Sequence, residues 1–175
     1  FWTAEAALDL SLPTFARRRA LAPTLDVRLA GGVGGGDLPL TRLLSVEGVL
    51  GERGVAFSRF GVLRTRMGVA YEGDRYAAAF WEHSFRSIPF ELIGLQVLAE
   101  RGYTVLLHGA HARTWLDAER QTRLGQSGYT LSPTGGWHHE VGVSVSGVLG
   151  LFRVDLTQRL DTSQTVVGLG VARLF

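Results

Sequence analysis

The sequence predicts an all-β fold: an antiparallel up-and-down transmembrane β-barrel, of which this chain would be the C-terminal portion of about eight strands. Apolar and polar residues alternate over 137–145, 151–160 and 165–175, as expected of strands with one apolar and one polar face. The apolar face consists of valine, leucine and phenylalanine, with aromatic residues at its ends. No run of about 18 apolar residues offers a transmembrane helix, whereas barrel strands carry only this weaker, alternating signal.

The rest of the chain contains more of the same alternation. Five further stretches are predicted strands: Trp2 to Leu12, Leu25 to Val33, the weaker candidate Leu63 to Tyr71, Arg75 to Phe85 and Tyr103 to Thr114. The pattern of the last stretch does not assign its two faces. Between them, 34–61 is glycine-rich and 115–136 is polar, and we interpret both as long loops. The segment 92–101 fits a short helix or a strand. We expect 1–175 to be a single β-barrel segment, the C-terminal half of a larger barrel.

The pairing of the last three strands gives a test of internal consistency. With Val148-Leu149 as a two-residue hairpin loop, Val143 faces Val154 and Ser144 faces Arg153. Apolar then meets apolar and polar meets polar at nearly every pair, and a slip of one residue would destroy this agreement.

The next hairpin behaves in the same way. With Asp161-Thr162 as its loop, Arg153 lies opposite Gly170 and Asp155 lies opposite Gly168, where the missing side chains leave room for the charges. The three strands therefore share one continuous aliphatic face and one charged face.

The two faces predict two sets of functional residues. The polar face, with charges of both signs beside glycines, is typical of the partly wet inside of a barrel. We predict a lumen charge network of Glu140, Arg153, Asp155 and Arg159. The apolar face is typical of a lipid-facing band. We predict that its membrane-interface aromatics are Trp137, Phe152 and Phe175.

The end of the chain resembles a known signal. Residues 168–175 resemble the terminal strand signal of bacterial outer-membrane barrels, a glycine followed by alternating apolar residues and a final aromatic. The matching residues are Gly168, Gly170, Val171 and Phe175. Arg173 stands where that signal usually has an apolar or aromatic residue.

Three further stretches, 36–40, 73–85 and 139–156, resemble the bacterial surface-antigen (BamA-like) barrel superfamily. The match is closest to the branch that carries a carboxypeptidase-regulatory-like domain at its N-terminus. Its most specific parts are Asp74-Arg75-Tyr76 with Glu82-His83 downstream, and Glu140-Val141-Gly142 followed by Arg153-Val154-Asp155. The chain lacks the Val-Arg-Gly-Phe/Tyr motif of the barrel-assembly members, so an insertase activity is not implied.

The resemblance implies an integral protein of the bacterial outer membrane, with a structural, transport or assembly-related role and no catalysis. Its expected partners are the lipid bilayer and, during biogenesis, the barrel-assembly machinery. The sequence starts at Phe1 without Met, so we expect an N-terminal part of the same protein to precede it.

Other function classes receive less support from the residues. The net charge is +2 and the arginines are scattered, so nucleic-acid binding is not expected. In His138-His139-Glu140, alternation sends His139 to the opposite face, so no metal site and no other cofactor is predicted. Glu82, His83 and Ser84 also point apart, so no catalytic triad forms there.

Two alternatives to the barrel hypothesis remain open at this stage. A soluble up-and-down β-barrel would bind a small apolar ligand if the Val/Leu/Phe face pointed inward. An outer-membrane hydrolase would need a convergent set of Ser, His and acidic residues.

Overall fold

Strands dominate the architecture in the computed structural model, which describes residues 1–15, 21–52 and 55–171. The twelve strands are β1 Trp2–Pro13, β2 Thr24–Gly35, β3 Leu44–Val46, β4 Gly48–Glu52, β5 Val55–Phe57, β6 Leu63–Met67, β7 Tyr71–Gly73, β8 Arg75–Arg86, β9 Thr104–Trp115, β10 His138–Val148, β11 Phe152–Arg159 and β12 Thr165–Val171. The helices are the 3-10 turn Leu40–Arg42, α1 Ile88–Leu92, α2 Gln96–Glu100 and α3 Ala118–Gln126. Within the described ranges, no helix has the length and apolar character needed to cross a membrane.

Seven strands form one antiparallel wall, in the order β1-β2-β8-β9-β10-β11-β12. Beyond β12 the sheet continues through β5, β4 and β6, with parallel pairing between β12 and β5 and between β4 and β6. This ten-stranded sheet is open, since β1 and β6 are its end strands. The predicted all-β fold is confirmed. The predicted C-terminal portion of an antiparallel up-and-down barrel, with about eight strands, differs from this sheet: the described residues form twelve strands, two of the pairings are parallel, and the sheet is not closed.

The difference comes from residues 44–73, here called the inner segment, which fold over one face of the wall. Its five strands, β3 to β7, have only three to five residues each. Strands this short carry little alternation, and only 63–71 was predicted as a strand from the sequence. Most of this segment was interpreted as the loop 34–61, and that interpretation is wrong. The segment packs through a small apolar cluster formed by Val46, Leu63, Tyr71, Ala78, Phe80, Ala110 and Ala112.

The wall has an apolar outward face and a polar inward face. The outward side chains of Val143, Val154 and Leu169 are 40%, 36% and 41% exposed. The inward side chains of Glu140 and Asp155 are 1% and 0% exposed. This structure therefore buries charge and exposes aliphatic surface, which is the reverse of the arrangement typical of proteins in water.

The register prediction is confirmed for one hairpin and wrong for the other. Arg153 lies opposite Gly170, as predicted. In the β10–β11 hairpin, Ser144 lies opposite Asp155 rather than Arg153, a shift of two residues. A bulge between Ser146 and Val148 and a longer turn, in which Leu149 has a φ of 50°, account for the shift. Because the shift is even, every side chain keeps its predicted face.

The connections also differ in part from the sequence interpretation. The 115–136 loop contains α3, whose N-cap Asp117 accepts hydrogen bonds from the backbone of Glu119 and Arg120. The undecided segment 92–101 ends in a short helix, α2, and β9 follows it. The weak strand 63–71 is two strands, β6 and β7, separated by a turn in which Gly68 has a φ of 72°.

Gly168 is required by the close approach of the inner segment. A Cβ atom at this position would lie 2.2 Å from Ser58 Oγ and 3.1 Å from Asp155 Oδ2. The glycine therefore leaves room for Asp155, as the sequence suggested, and also for the chain that follows β5. Ser58 donates its backbone N–H to the carbonyl oxygen of Leu169 at 2.7 Å.

Replacing Gly168 by alanine should destabilise the protein by about 1–3 kcal/mol, because the added methyl group overpacks the contact with Ser58. Equilibrium urea unfolding followed by tryptophan fluorescence measures this. Gly136→Ala is the control, since Gly136 lies outside the helices and strands and no heavy atom lies within 4 Å of its added Cβ. Equal stabilities of the two variants would contradict the packing argument.

Candidate functional site

A buried charge cluster of Arg64, Glu82, Arg153 and Asp155 occupies the middle of the inward face. Glu82 accepts hydrogen bonds from Arg64 Nη2 at 2.9 Å and from Arg153 Nη1 at 2.8 Å. Arg153 also donates from Nε to Asp155 at 2.6 Å and from Nη2 to Ser144 Oγ at 2.8 Å. Every charged member is at most 9% exposed. Such burial is tolerated because each charge has at least one partner of opposite sign.

Glu140 holds the backbone of the inner segment against the wall. Its carboxylate accepts from the backbone N–H groups of Arg64 and Thr65 at 2.7 and 2.9 Å, and from Thr65 Oγ1 at 2.7 Å. His138 Nε2 lies 3.2 Å from the same carboxylate, and its Nδ1 lies 3.2 Å from the Tyr71 hydroxyl. A carboxylate that accepts backbone hydrogen bonds in a buried site forms strong, charge-assisted interactions.

Arg64 connects the two groups, because its side chain binds Glu82 and its backbone binds Glu140. Burial lowers the pKa of its guanidinium, and repulsion from Arg153 lowers it further, whereas Asp155 and Glu82 oppose the change. Arginine nevertheless remains charged at any physiological pH. Its Nη1 is buried without a hydrogen-bond partner. The charged Arg64 side chain on β6 is therefore held against the wall by its ion pair with Glu82.

The predicted lumen charge network is only partly assembled. Arg153 and Asp155 form an ion pair, whereas Glu140 binds the inner segment instead of them. Arg159 pairs with Asp161, Nη2 to Oδ2 at 2.5 Å, and this pair lies at the end of the wall.

Two members of the cluster were missed from the sequence. Glu82 was already on the polar side of the alternation in 75–85, but nothing in its spacing pointed to Arg153 in a distant strand. Arg64 carried no signal, since its position depends on the fold of the inner segment.

A polar cavity of about 330 Å³ adjoins the cluster. Its lining includes Asp26, Glu82, Ser84, Ser146 and Arg153. It extends toward the end of the wall where Arg86 and Thr104 lie. The inner segment thus covers the inward face at the charge cluster. Beside the cluster, the inward face lines a polar cavity.

The histidines do not gather into a metal site. Across the described ranges, no group of three or more His, Cys, Asp or Glu side chains is placed to hold a metal ion. His138 and Glu140 point inward, while His139 points outward, where its Nδ1 lies 2.7 Å from His111 Nδ1.

Catalytic geometry is also not assembled around the candidate serines. Glu82 and Ser84 are buried on the inward face and His83 lies on the other. The contact between Ser144 Oγ and His108 Nδ1 is 3.0 Å, but both side chains are at most 2% exposed. The other ring nitrogen of His108 meets Thr157 Oγ1 rather than an acid.

Aromatic side chains mark both ends of the outward face. One end, the tryptophan rim, carries Trp2, Trp115 and Trp137, and the last two pack edge to face at 6.1 Å. The opposite end, the phenylalanine rim, carries Phe15, Phe85 and Phe152. Trp137 and Phe152, the predicted interface aromatics, therefore lie at opposite ends of the wall.

The predicted terminal signal is only partly within the described residues. Gly168, Gly170 and Val171 lie in β12, at the end of the antiparallel wall. Phe175, predicted both as part of this signal and as an interface aromatic, lies outside the described residues. The roles of these residues in assembly and at a membrane stay predictions.

No family model, no curated protein and no solved structure matches the chain. The functional conclusion therefore depends on the two faces of the wall and on the chemistry of its buried cluster.

Glu82→Gln should destabilise the protein by about 3–5 kcal/mol, because it removes the carboxylate from two buried arginines. Urea unfolding of the whole chain measures the change. The control is Glu119→Gln on the exposed surface of α3, expected to change stability by less than about 0.5 kcal/mol. A loss for Glu82→Gln as small as that of the control would show that the cluster does not retain the inner segment.

Membership of the cluster can be tested with two arginines of the same strand. Arg159→Gln removes a partly exposed ion pair and should cost at most about 1 kcal/mol. Arg153→Gln removes buried pairs with Glu82 and Asp155 and should cost several times more. Equal losses in urea unfolding would instead support the network predicted from the sequence, in which both arginines take part.

Proposed function

We propose that the chain is the C-terminal part of an integral outer-membrane β-barrel of surface-antigen type, with a structural or transport-related role and no catalysis. The observation that carries this proposal is the inverted polarity of the wall, apolar outside and charged inside. In lipid, the outward aliphatic side chains need no protein cover, and the inward charges are shielded from the bilayer by the strands themselves.

The extent of the exposed apolar surface supports a lipid environment over water. Outward leucines and valines occur on six of the seven wall strands: Leu8, Leu10, Leu12, Leu29, Val33, Leu107, Val141, Val143, Val154, Leu156, Val167 and Leu169. Complete burial of one such side chain is worth about 1.5–3 kcal/mol. A continuous apolar surface of this size marks a membrane or protein contact.

Strand length and the two rims support the same conclusion. The strands β8 and β9 have 12 residues each and β10 has 11. A tilted strand needs about 9–11 residues to cross the hydrocarbon core. The aromatic residues at both ends of these strands would then lie at the two headgroup layers, as in other barrels of this kind.

The open sheet supports membership of a larger barrel. Among the described residues, β1 pairs only with β2, so its other edge presents free N–H and C=O groups. Unpaired edges do not occur in lipid. We infer that further strands of the same protein close the barrel against β1. In this structure the second edge of β12 pairs with β5, so strand addition to the assembly machinery, with Gly168, Gly170, Val171 and Phe175 as the recognised signal, would precede that pairing.

The two alternatives receive less support. A soluble ligand-binding barrel requires the Val/Leu/Phe face to point inward, whereas Val143 and Leu169 point outward and Asp155 is buried. An outer-membrane hydrolase requires an acid beside a Ser–His pair, and His108 meets Thr157 in that position.

Single cysteines carrying nitroxide labels test the proposal directly, because the chain has no cysteine of its own. Labels at Val143, Val154 and Leu169 should be accessible to oxygen and shielded from a water-soluble relaxation agent after reconstitution into vesicles. A label at Ser146, which lines the polar cavity, is the control and should show the opposite preference. Water accessibility at all three outward sites would overturn the proposal.

A further inference from the structure

Among the described residues, the outward face of the wall carries charge at one place. Within the described wall strands, Arg75 and Arg113 are the only arginine or acidic side chains that alternate onto this face. Both lie at the tryptophan rim, on the neighbouring strands β8 and β9. In the register of these strands, Arg75 is opposite Trp115 and Arg113 is opposite Ala77, so the two arginines are diagonal neighbours.

The two arginines belong to a continuous strip of outward side chains across β8, β9 and β10. The Arg113 guanidinium carbon lies 5.2 Å from the centroid of the Trp115 ring. Trp137 packs against Trp115 on one side and stacks on His139 at 6.1 Å on the other. His139 in turn meets His111. We call this strip the arginine–tryptophan patch; its members are Arg75, Arg113, Trp115, Trp137, His139 and His111.

The positive charge of the patch is only partly neutralised by nearby carboxylates of the described residues. In the part of the chain that the structure describes, Arg113 forms no salt bridge, and its Nε is buried without a hydrogen-bond acceptor. Arg75 has one carboxylate partner, Asp74 Oδ1, at 3.4 Å, and its side chain is 57% exposed. An unpaired guanidinium at the edge of a membrane needs an anion from outside the protein.

The chemistry of the patch fits a phosphate group. Guanidinium groups bind phosphate oxygens in a bidentate manner, and two on adjacent strands can share one phosphate. Tryptophan rings lie at the level of lipid headgroups, so the phosphates of neighbouring lipids lie at the same depth as the patch. Beside Arg113, the small residues Ala77 and Gly31 pair across β8 and β2. Their short side chains leave space on the outward surface for the first methylene groups of an acyl chain.

We propose that the arginine–tryptophan patch binds the phosphate of an anionic lipid headgroup, with Arg113 and Arg75 as its ligands. The inference rests on the proposed function, because it requires the outward face to lie in a bilayer. The tryptophans place the patch at the depth of the lipid headgroups, and the arginines select lipids with a net negative headgroup over zwitterionic ones.

Quenching of the tryptophans by brominated lipids tests the selection. The whole protein is reconstituted into mixtures of phosphatidylcholine and phosphatidylglycerol in which one lipid at a time has brominated acyl chains. Brominated phosphatidylglycerol should quench more strongly than its molar fraction predicts. Arg113→Gln should reduce this preference about five-fold, and the double variant with Arg75→Gln should remove it.

Two further variants and an unfolding control make the result specific. Arg113→Lys keeps the positive charge and should retain part of the preference. Arg123→Gln removes the same charge from α3, where the side chain is 59% exposed, and should leave the preference unchanged. Urea unfolding of each variant confirms that the wall is intact.

The possible results separate this inference from the proposed function. Equal quenching by the two brominated lipids, or a preference that survives in the double variant, would overturn the phosphate site while leaving the membrane location in place. Quenching by neither lipid would overturn the proposed function itself. Loss of the preference on adding inorganic phosphate would show that the patch takes free phosphate and would overturn the lipid assignment.

Discussion

The constraint on which the rest of the structure depends is the pairing of buried charge on the inward face of the wall. Glu82 lies between Arg64 and Arg153 and accepts from both, while Glu140 accepts from the backbone of the inner segment. A buried charge without a partner costs several kcal/mol, so these contacts require the inner segment to lie where it does. Because the charged side chains and the inner segment occupy the inward face, the apolar side chains of the wall strands point outward.

The charge cluster and the two aromatic rims occupy different levels of the same strands. Glu82 lies near the middle of β8, and Asp155 lies near the middle of β11. Trp115 and Phe152 lie at opposite ends of the wall. In the proposed bilayer, the buried charge cluster would thus lie at the same depth as the hydrocarbon centre of the membrane. One layer of strands would separate the cluster from the lipid. The inner segment makes this possible, because it supplies Arg64 and backbone donors at that depth.

The arginine–tryptophan patch obeys the same electrostatic rule on the opposite face. Inside, Arg153 finds carboxylates within the protein, at 2.6 and 2.8 Å. Outside, Arg113 meets the ring of Trp115 at the tryptophan rim, where headgroup phosphates would be within reach. Charged side chains therefore lie where the protein or the proposed membrane offers an opposite charge. On the wall strands that the structure describes, the outward surface between the rims carries no charged side chain.

The sequence by itself determined which residues form the wall and, in every wall strand except β9, which face each side chain takes. Alternation is a local property, so Val143, Val154 and Leu169 could be assigned to one face without knowledge of their neighbours, and an error of two residues in register left the faces unchanged. Only the tertiary structure decided the open sheet, the inner segment and the partners of Glu82. Arg64 reaches Glu82 because very short strands fold back over the wall. The alternation in 63–71 indicated a strand, but alternation does not indicate against which part of the sheet a strand packs. Gly168 illustrates the difference. Its position opposite Asp155 was predictable from the sequence, whereas the close approach of Ser58 was visible only in the tertiary structure.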